Sequence, residues 1–495
     1  SVGGLSLTAE DRPAFFNQRN KPYPPSHIGP FIMSRELSLL SATELLRGYR
    51  TKRISPVEAT KAALEAISAH DGKVKAFCLV DEKAAMASAK ESEARWMAGT
   101  PRGLVDGVPT TIKDLLISKG WPTLRGSTLV SRDQPWTEDA PSVARLREHG
   151  AVFLGKTTTP EFGWKPLTDS KLVGITRNPW DLSRTPGGSS GGAAVAAALG
   201  MGALHLGTDA AGSIRIPASF TGIFGLKPNH ARVPAYPTTP NSSIAHVGPM
   251  TRTVSDAALM LTAMTGYDPR DPYALPQENR DWRIGLEQGV AGMRIAFAPT
   301  MNGVAIDPPV AALVRAAVTA LEELGAIVEE AEPPLSNAEE VLLAHYRASV
   351  GNVVNGFAPE QRGELDPGMR AFAEEGKGIG LTDYFAAMKA RELLTAALNG
   401  FFERYDVLLM PMLPTVAFEA GELVPRDGRF PAWYKWTPFS GPFNMTKAPA
   451  ASIPCGFVDG LPVGLQIVGP TFREDTVLRT ARAYESVHPI VFPKL

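Results

Sequence analysis

The chain has 495 residues, 44% of them hydrophobic and 20% charged, with a formal net charge of −1. That is the composition of a folded globular protein, and it excludes a nucleic-acid or anionic-membrane binder acting through a strongly basic surface. The only two cysteines, Cys78 and Cys455, are far apart, in no metal-ligand spacing and too few for a disulfide framework, which fits a reducing cytoplasm.

Residues 1–32 read as a polar, proline-containing extension ahead of Met33, either a natural arm or an added segment. No basic stretch leading into an apolar run marks it as a secretion signal. Ser41 with Glu44, and Ser55 with Glu58, read as capping boxes, the second with Pro56 at the first helical position. Helices are expected over about 41–49 and 56–69. Pro141 opens a helix that ends at Gly150, and the β-type run Ala151–Leu154 follows at once. The Ala/Gly-rich run 191–207 contains His205 and is too short to span a bilayer. Ser255 begins another helix. Arg294–Ala298 reads as a strand, and Pro308–Leu324 as an amphipathic helix feeding a strand at Ile327–Glu330. Val407–Met410 and Val463–Val468 are apolar runs of buried-strand type. Helices alternating with apolar strands predict an α/β class with a covered sheet. Length alone allows two or three domains at about 150 residues each, but no repeat or long linker divides the chain.

Phe430, Trp433, Tyr434, Trp436, Phe439 and Phe443 crowd into a few turns of chain. Two readings stand. The rings pack a core or a subunit contact, or Trp433, Trp436 and Phe439 form a pocket wall that selects bulky or aromatic substrates.

The chemistry concentrates between Thr185 and Pro217. GGSSGG at 187–192 and DAAGS at 209–213 are glycine-flanked serine turns joined by an apolar, alanine-rich segment. A lone lysine, Lys113, follows the apolar run in GVPTTIKDLL. Serine is a weak nucleophile until a neighbouring base takes its proton. None of the eight histidines sits in a GxSxG-type order or a metal-binding spacing, and the nearest, His205, His230 and His246, read as structural. A lysine serves instead if it is neutral near pH 7. Its ordinary value is about 10.4, and burial lowers it. Val108, Ile112, Leu115 and Leu116 supply apolar neighbours, whereas Asp114 would oppose the shift if it pointed inward. The plainer reading of GGSSGG is a tight turn capping a helix over about 192–199.

Several segments together carry a family resemblance. They are Leu104–Asp114 (LVDGVPTTIKD), Ala151–Phe162 (AVFLGKTTTPEF), Asn178 to Trp180, the two serine turns, Gly248–Asp256 (GPMTRTVSD) and Ala448–Gly469 (APAASIPCGFVDGLPVGLQIVG). In kind and order they resemble the amidase signature family of serine hydrolases over roughly residues 36–487. The resemblance implies one large α/β domain over 33–495, with a mixed, mostly buried sheet covered by helices and a variable pocket region at about 335–445. It implies Ser213 as nucleophile, Ser189 as proton relay behind a cis Gly188–Ser189 bond, and Lys113 as base, with no metal or organic cofactor. Backbone amides of Ala210, Ala211 and Gly212 would receive the oxyanion. The commoner family form has Gly where this chain has Ala211. Ser190 would support the site by hydrogen bonding, and Asp209 with Arg215 would form a structural ion pair holding the turn. Lys156 reads as a fold anchor and Cys455 as a buried structural thiol.

The expected activity is hydrolysis of a carboxylic amide, with aryl or hydrophobic substrates favoured, by a monomer or homodimer acting on a small molecule. A carbamate or ester hydrolase on the same residues is one alternative. The glutaminase component of a tRNA-dependent amidotransferase, its A-type chain, is another, and a silent binding protein on the same fold is a third.

Overall fold

Ser41 Oγ accepts the Glu44 amide at 3.2 Å, while the Glu44 carboxylate accepts the Ser41 amide at 2.9 Å. This reciprocal pair starts the helix Ala42–Arg50. The computed structural model describes residues 34–495, so the extension expected over 1–32 lies outside the described residues. Ser55 and Glu58 repeat the pair ahead of Pro56, and that helix continues to Val74, past its expected end. The helices Pro141–Glu148 and Pro308–Glu323 stand where their prolines place them. The helix expected from Ser255 is Val254–Met264, capped by Thr253.

Eleven strands build one mixed sheet. In spatial order they are β1 (Phe77–Val80), β3 (Val152–Thr157), β2 (Pro109–Lys113), β6 (Leu204–Asp209), β8 (His246–Thr251), β7 (Phe224–Lys227), β12 (Ala450–Val458), β13 (Leu461–Val468), β11 (Val407–Pro411), β9 (Arg294–Phe297) and β10 (Ile327–Glu330). A separate hairpin pairs β4 (Asp169–Ser170) with β5 (Gly174–Ile175). Pairing is parallel through β3, β2 and β6 and again through β11, β9 and β10. Every residue of β2, β3, β8 and β13 is buried, as in a sheet covered on both faces. No helix among the described residues is long and apolar enough to cross a membrane.

Register positions the chemistry. Parallel pairing sets Ile112 opposite Leu206, so Lys113 at the end of β2 emerges beside Thr208 and Asp209 at the end of β6. The C-terminal edge of parallel strands is where open α/β sheets hold their ligands. The helix Gly191–Ala198, buried at all eight positions, leads into β6. A turn at 210–214 then enters the helix Arg215–Thr221.

The aromatic segment belongs to the core, which corrects the pocket-wall expectation for Trp433, Trp436 and Phe439. All three are buried. Trp436 stacks on Phe220 with centroids 5.8 Å apart and donates its indole N–H to Leu423 O at 3.1 Å. Trp433 packs against Tyr346 and Phe372. The physical reason is area: rings of this size are satisfied by full burial against other rings, and the segment folds under the helix Ala338–Asn355 to obtain it.

Candidate active site

Lys113 Nζ lies 2.6 Å from Ser189 Oγ, 2.8 Å from Ser190 Oγ and 2.9 Å from Thr208 Oγ1. The lysine is wholly buried. Burial pushes its amine well below the ordinary 10.5, against the opposing charge of Asp209. Asp114 turns to Lys156 at 3.2 Å, and Asp209 to Arg215 at 2.9 Å, so neither pairs with Lys113. Lys156 also donates to Leu116 O and to the Thr123 hydroxyl, holding the loop after β2.

The serine turn does not cap the helix after it. Ser190 occupies the N-cap of Gly191–Ala198 without a side-chain capping bond. Its hydroxyl donates to Thr208 O at 3.1 Å and accepts the Thr208 amide at 3.2 Å. The Gly188–Ser189 peptide is cis. The Ser190 amide donates to Ser213 O at 3.1 Å and fastens the two serine turns together.

Asp209 organises the second turn. Its buried carboxylate accepts from the Gly212 amide at 2.6 Å, the Ile214 amide at 3.2 Å, Arg215 at 2.9 and 3.0 Å, and Asn444 at 2.9 Å. Burial alone would raise this carboxyl, but the Arg215 guanidinium, with Lys227 and Asn444, holds it well below the usual range. Arg215 also donates to Ser440 O, Gln466 and Asn444.

The Gly212 amide is thus spent on Asp209, which corrects its nomination as an oxyanion donor. A carboxylate three residues earlier competes for that N–H, a contact the turn's sequence alone does not reveal. Among the described residues no protein group accepts the amides of Ala210, Ala211 or Ser213. Ala210 and Ala211 are half-buried, and Ser213 is 9% exposed.

The three nearby histidines are structural. His205 lies 2.8 Å from the Thr111 hydroxyl, and burial lowers it to about 3. His230 donates to Ser242 O and is lowered by burial to about 4. His246 donates to Asp209 O at 3.1 Å, and burial pushes it well below 6.5. Cys455 is buried, its thiol pushed up to about 12.

Gly163 lies between Ser189 and Leu115. A Cβ on Gly163 would lie 3.2 Å from Ser189 Oγ and 2.8 Å from Leu115 Cδ1. Phe162, beside it, is half-buried and meets Phe357 with centroids 5.6 Å apart. The Tyr346 hydroxyl donates to Trp164 O at 3.1 Å and pins this strip from the helix above.

The family model for amidases matches residues 58–478. The chain is 38% identical over 480 residues to the A chain of the glutamyl-tRNA(Gln) amidotransferase of Moorella thermoacetica, covering 91% of this chain and 97% of that protein. It is 36% identical to an acylamidase of Rhodococcus erythropolis, covering 92% and 97%. The solved structure of a bacterial aryl acylamidase of the amidase signature enzymes superposes with a TM-score of 0.84 at 28% identity, covering 91% and 96%. The chain belongs to the amidase signature family. It is an amidohydrolase that acts on C–N bonds.

In this amidase signature chain the sequence reading missed Thr208, Ser440 and Asn444. Thr208 sits at the end of β6 beside Asp209, in an almost fully buried strand with no alternation to mark it. Ser440 and Asn444 reach the turn from more than two hundred residues downstream, where no local pattern marks them.

Proposed function

We propose that the protein hydrolyses carboxylic amides, aryl or otherwise hydrophobic ones favoured, through an acyl-enzyme on Ser213. The hydrogen count at Lys113 carries this reading. Ser190 spends its one hydroxyl hydrogen on Thr208 O, so it can only accept from the amine. A neutral amine has two hydrogens and one lone pair. Given to Ser190 and Thr208, the hydrogens leave the lone pair facing Ser189 Oγ.

In this scheme Ser213 Oγ adds to the substrate carbonyl carbon. Its proton moves to Ser189, and the Ser189 proton moves to Lys113. The amides of Ala210, Ala211 and Ser213 receive the oxyanion, each such donor contributing about 2.7–4 kcal/mol. The relay then returns the proton to the amine, which leaves Ser213 acylated. Water, deprotonated by the same relay, attacks the acyl carbon and frees the acid. Side chains carry every proton, so the scheme calls for no metal or organic cofactor. Carbamates and esters pose the same oxyanion problem and are alternative substrates. Leu115, Phe162 and Phe357 favour apolar ones. The cysteines are free, and we place the protein in the cytoplasm, acting on a small molecule as a monomer or homodimer.

The 38% identity to the A chain of an amidotransferase favours a second reading, a glutaminase that works with partner proteins. Intact-mass analysis after a fluorophosphonate, beside Ser213→Ala, tests the nucleophile. Turnover of acyl p-nitroanilides against L-glutamine then separates the readings. One adduct absent from Ser213→Ala, with anilide turnover, is the expected result. Glutamine turnover alone would move the assignment to the amidotransferase component, and no adduct on folded protein would remove Ser213 from its role.

A further inference from the structure

We propose that Ser440 is a positioning residue whose hydroxyl fixes the Ala211–Gly212 peptide and thereby aims the amides that meet the oxyanion. The proposal rests on the reading of Ser213 as nucleophile.

Ser440 sits at the N-cap of the short helix Gly441–Met445, where a serine ordinarily bonds a helix amide. It makes no such bond. Its hydroxyl donates instead to Ala211 O at 2.6 Å, with Thr437 O farther away at 3.2 Å. The carbonyl of Ala211 and the amide of Gly212 are opposite ends of one planar unit. Ser440 holds the oxygen end, and Asp209 Oδ1 holds the nitrogen end at 2.6 Å. A plane held at both ends cannot swing, so the neighbouring amides keep their directions.

Contact reinforces the bond. Gly212 has φ +121°, and a Cβ there would lie 2.5 Å from Ser440 Oγ and 2.6 Å from Ser440 Cβ. The serine, itself fully buried, therefore packs directly on the turn. Its own carbonyl accepts Arg215 Nη1 at 3.0 Å, and Arg215 pairs with Asp209. The bonds close a ring: Asp209 to Arg215, Arg215 to Ser440, Ser440 to the 211–212 peptide, and that peptide back to Asp209. Removing the Ser440 hydroxyl opens the ring at one point and leaves the buried ion pair intact. The loss therefore falls on the aim of the turn rather than on the fold.

The test compares wild type, Ser440→Ala and Ser440→Thr in fluorophosphonate labelling rate and in steady-state hydrolysis of an acyl p-nitroanilide. Ser440→Ala is expected to lower the labelling rate and kcat by about 10–100-fold, the scale of a small misplacement of reacting groups. KM should stay within about threefold, since the bond acts in the transition state rather than on bound substrate. Ser440→Thr, which keeps the hydroxyl, should recover most of the rate. Wild-type rates in Ser440→Ala, a rise in KM with kcat unchanged, or a folded Ser440→Thr as slow as Ser440→Ala would each overturn the proposal. Should Ser440→Ala not fold, Ser440→Cys, a weaker donor of similar size, makes the same comparison. Labelling of wild type but not of Ser213→Ala stands by itself, so a failure at Ser440 would leave the functional reading in place.

Discussion

The Gly212 amide donates to Asp209 Oδ1 at 2.6 Å, so the residue just before Ser213 directs its N–H into the protein and not toward substrate. The turn is therefore built in two layers. Asp209 and Arg215 form the inner one, and the unpartnered amides of Ala210, Ala211 and Ser213 form the outer.

The inner layer predicts a stability effect. Asp209→Ala leaves Arg215 charged and buried without its partner, and breaking such a pair costs about 3–5 kcal/mol. The sign with pH follows from the depressed carboxyl. Its contribution is fully present above the unfolded value of about 3.9 and is lost as pH falls through the lower folded value. Urea unfolding of wild type and Asp209→Ala should show a gap at pH 7 that narrows in strong acid. A constant gap would contradict the ion-pair account.

The state of Lys113 predicts the pH–rate profile. Only the neutral amine accepts a proton, so kcat/KM should climb as pH rises through the Lys113 value. Burial sets that value well below 10.5. Lys113→Ala should lose the ascending limb and the alkaline optimum, and fall by roughly 10²–10⁴-fold, the usual contribution of a general base. The same limb in the variant would assign the titration to another group.

Thr208 tunes that amine. Thr208→Val preserves the branched shape and removes one acceptor from Nζ. The charged amine loses more from this than the neutral one, so the acid limb should move to lower pH. A drop in kcat of roughly tenfold is expected, on the scale of one hydrogen bond to a charged group. A profile unshifted in pH would mean that Thr208 holds the strand and not the proton.

Core and pocket aromatics should separate in a stability and kinetics comparison. Trp436→Ala removes a fully buried ring stacked on Phe220 and should cost about 3–5 kcal/mol. Phe162→Ala and Phe357→Ala act on half-buried rings that meet next to Gly163, the glycine lying against Ser189, and should change KM for apolar anilides more than the melting temperature. A KM insensitive to both would place the acyl or amine pocket elsewhere.

Much of this was legible in sequence where the signals are local. Ser41, Ser55, Pro141 and Pro308 mark helices because caps and prolines act within one turn of chain. The run Ile327–Glu330 is found with its predicted bounds. β6 and β8 escaped because strands buried on both faces show no alternation, and β6 carries Gly207 and His205 within it. At the site, the spacing of Lys113, Ser189 and Ser213 was readable through family resemblance, and the structure brings Lys113 against Ser189. The occupation of the Gly212 amide and the reach of Ser440 were not readable, because both depend on where a distant or folded-back side chain comes to rest. Trp436 was ambiguous for a different reason, since a large ring has the same sequence signature in a core as in a pocket.

The helix Gly191–Ala198 contains no side chain larger than valine, and a Cβ on Gly192 would meet Thr158 Oγ1 at 2.4 Å and Ala76 O at 2.5 Å. Glycine and alanine have no rotamers to freeze, so this rod sets the separation of the two serine turns without the slack that longer side chains introduce. For anyone diversifying the protein, mutational tolerance then divides sharply. Library positions inside the rod will return mostly dead clones, and useful variation in substrate range will come from residues such as Phe162 and Phe357, whose rings are not part of the ruler.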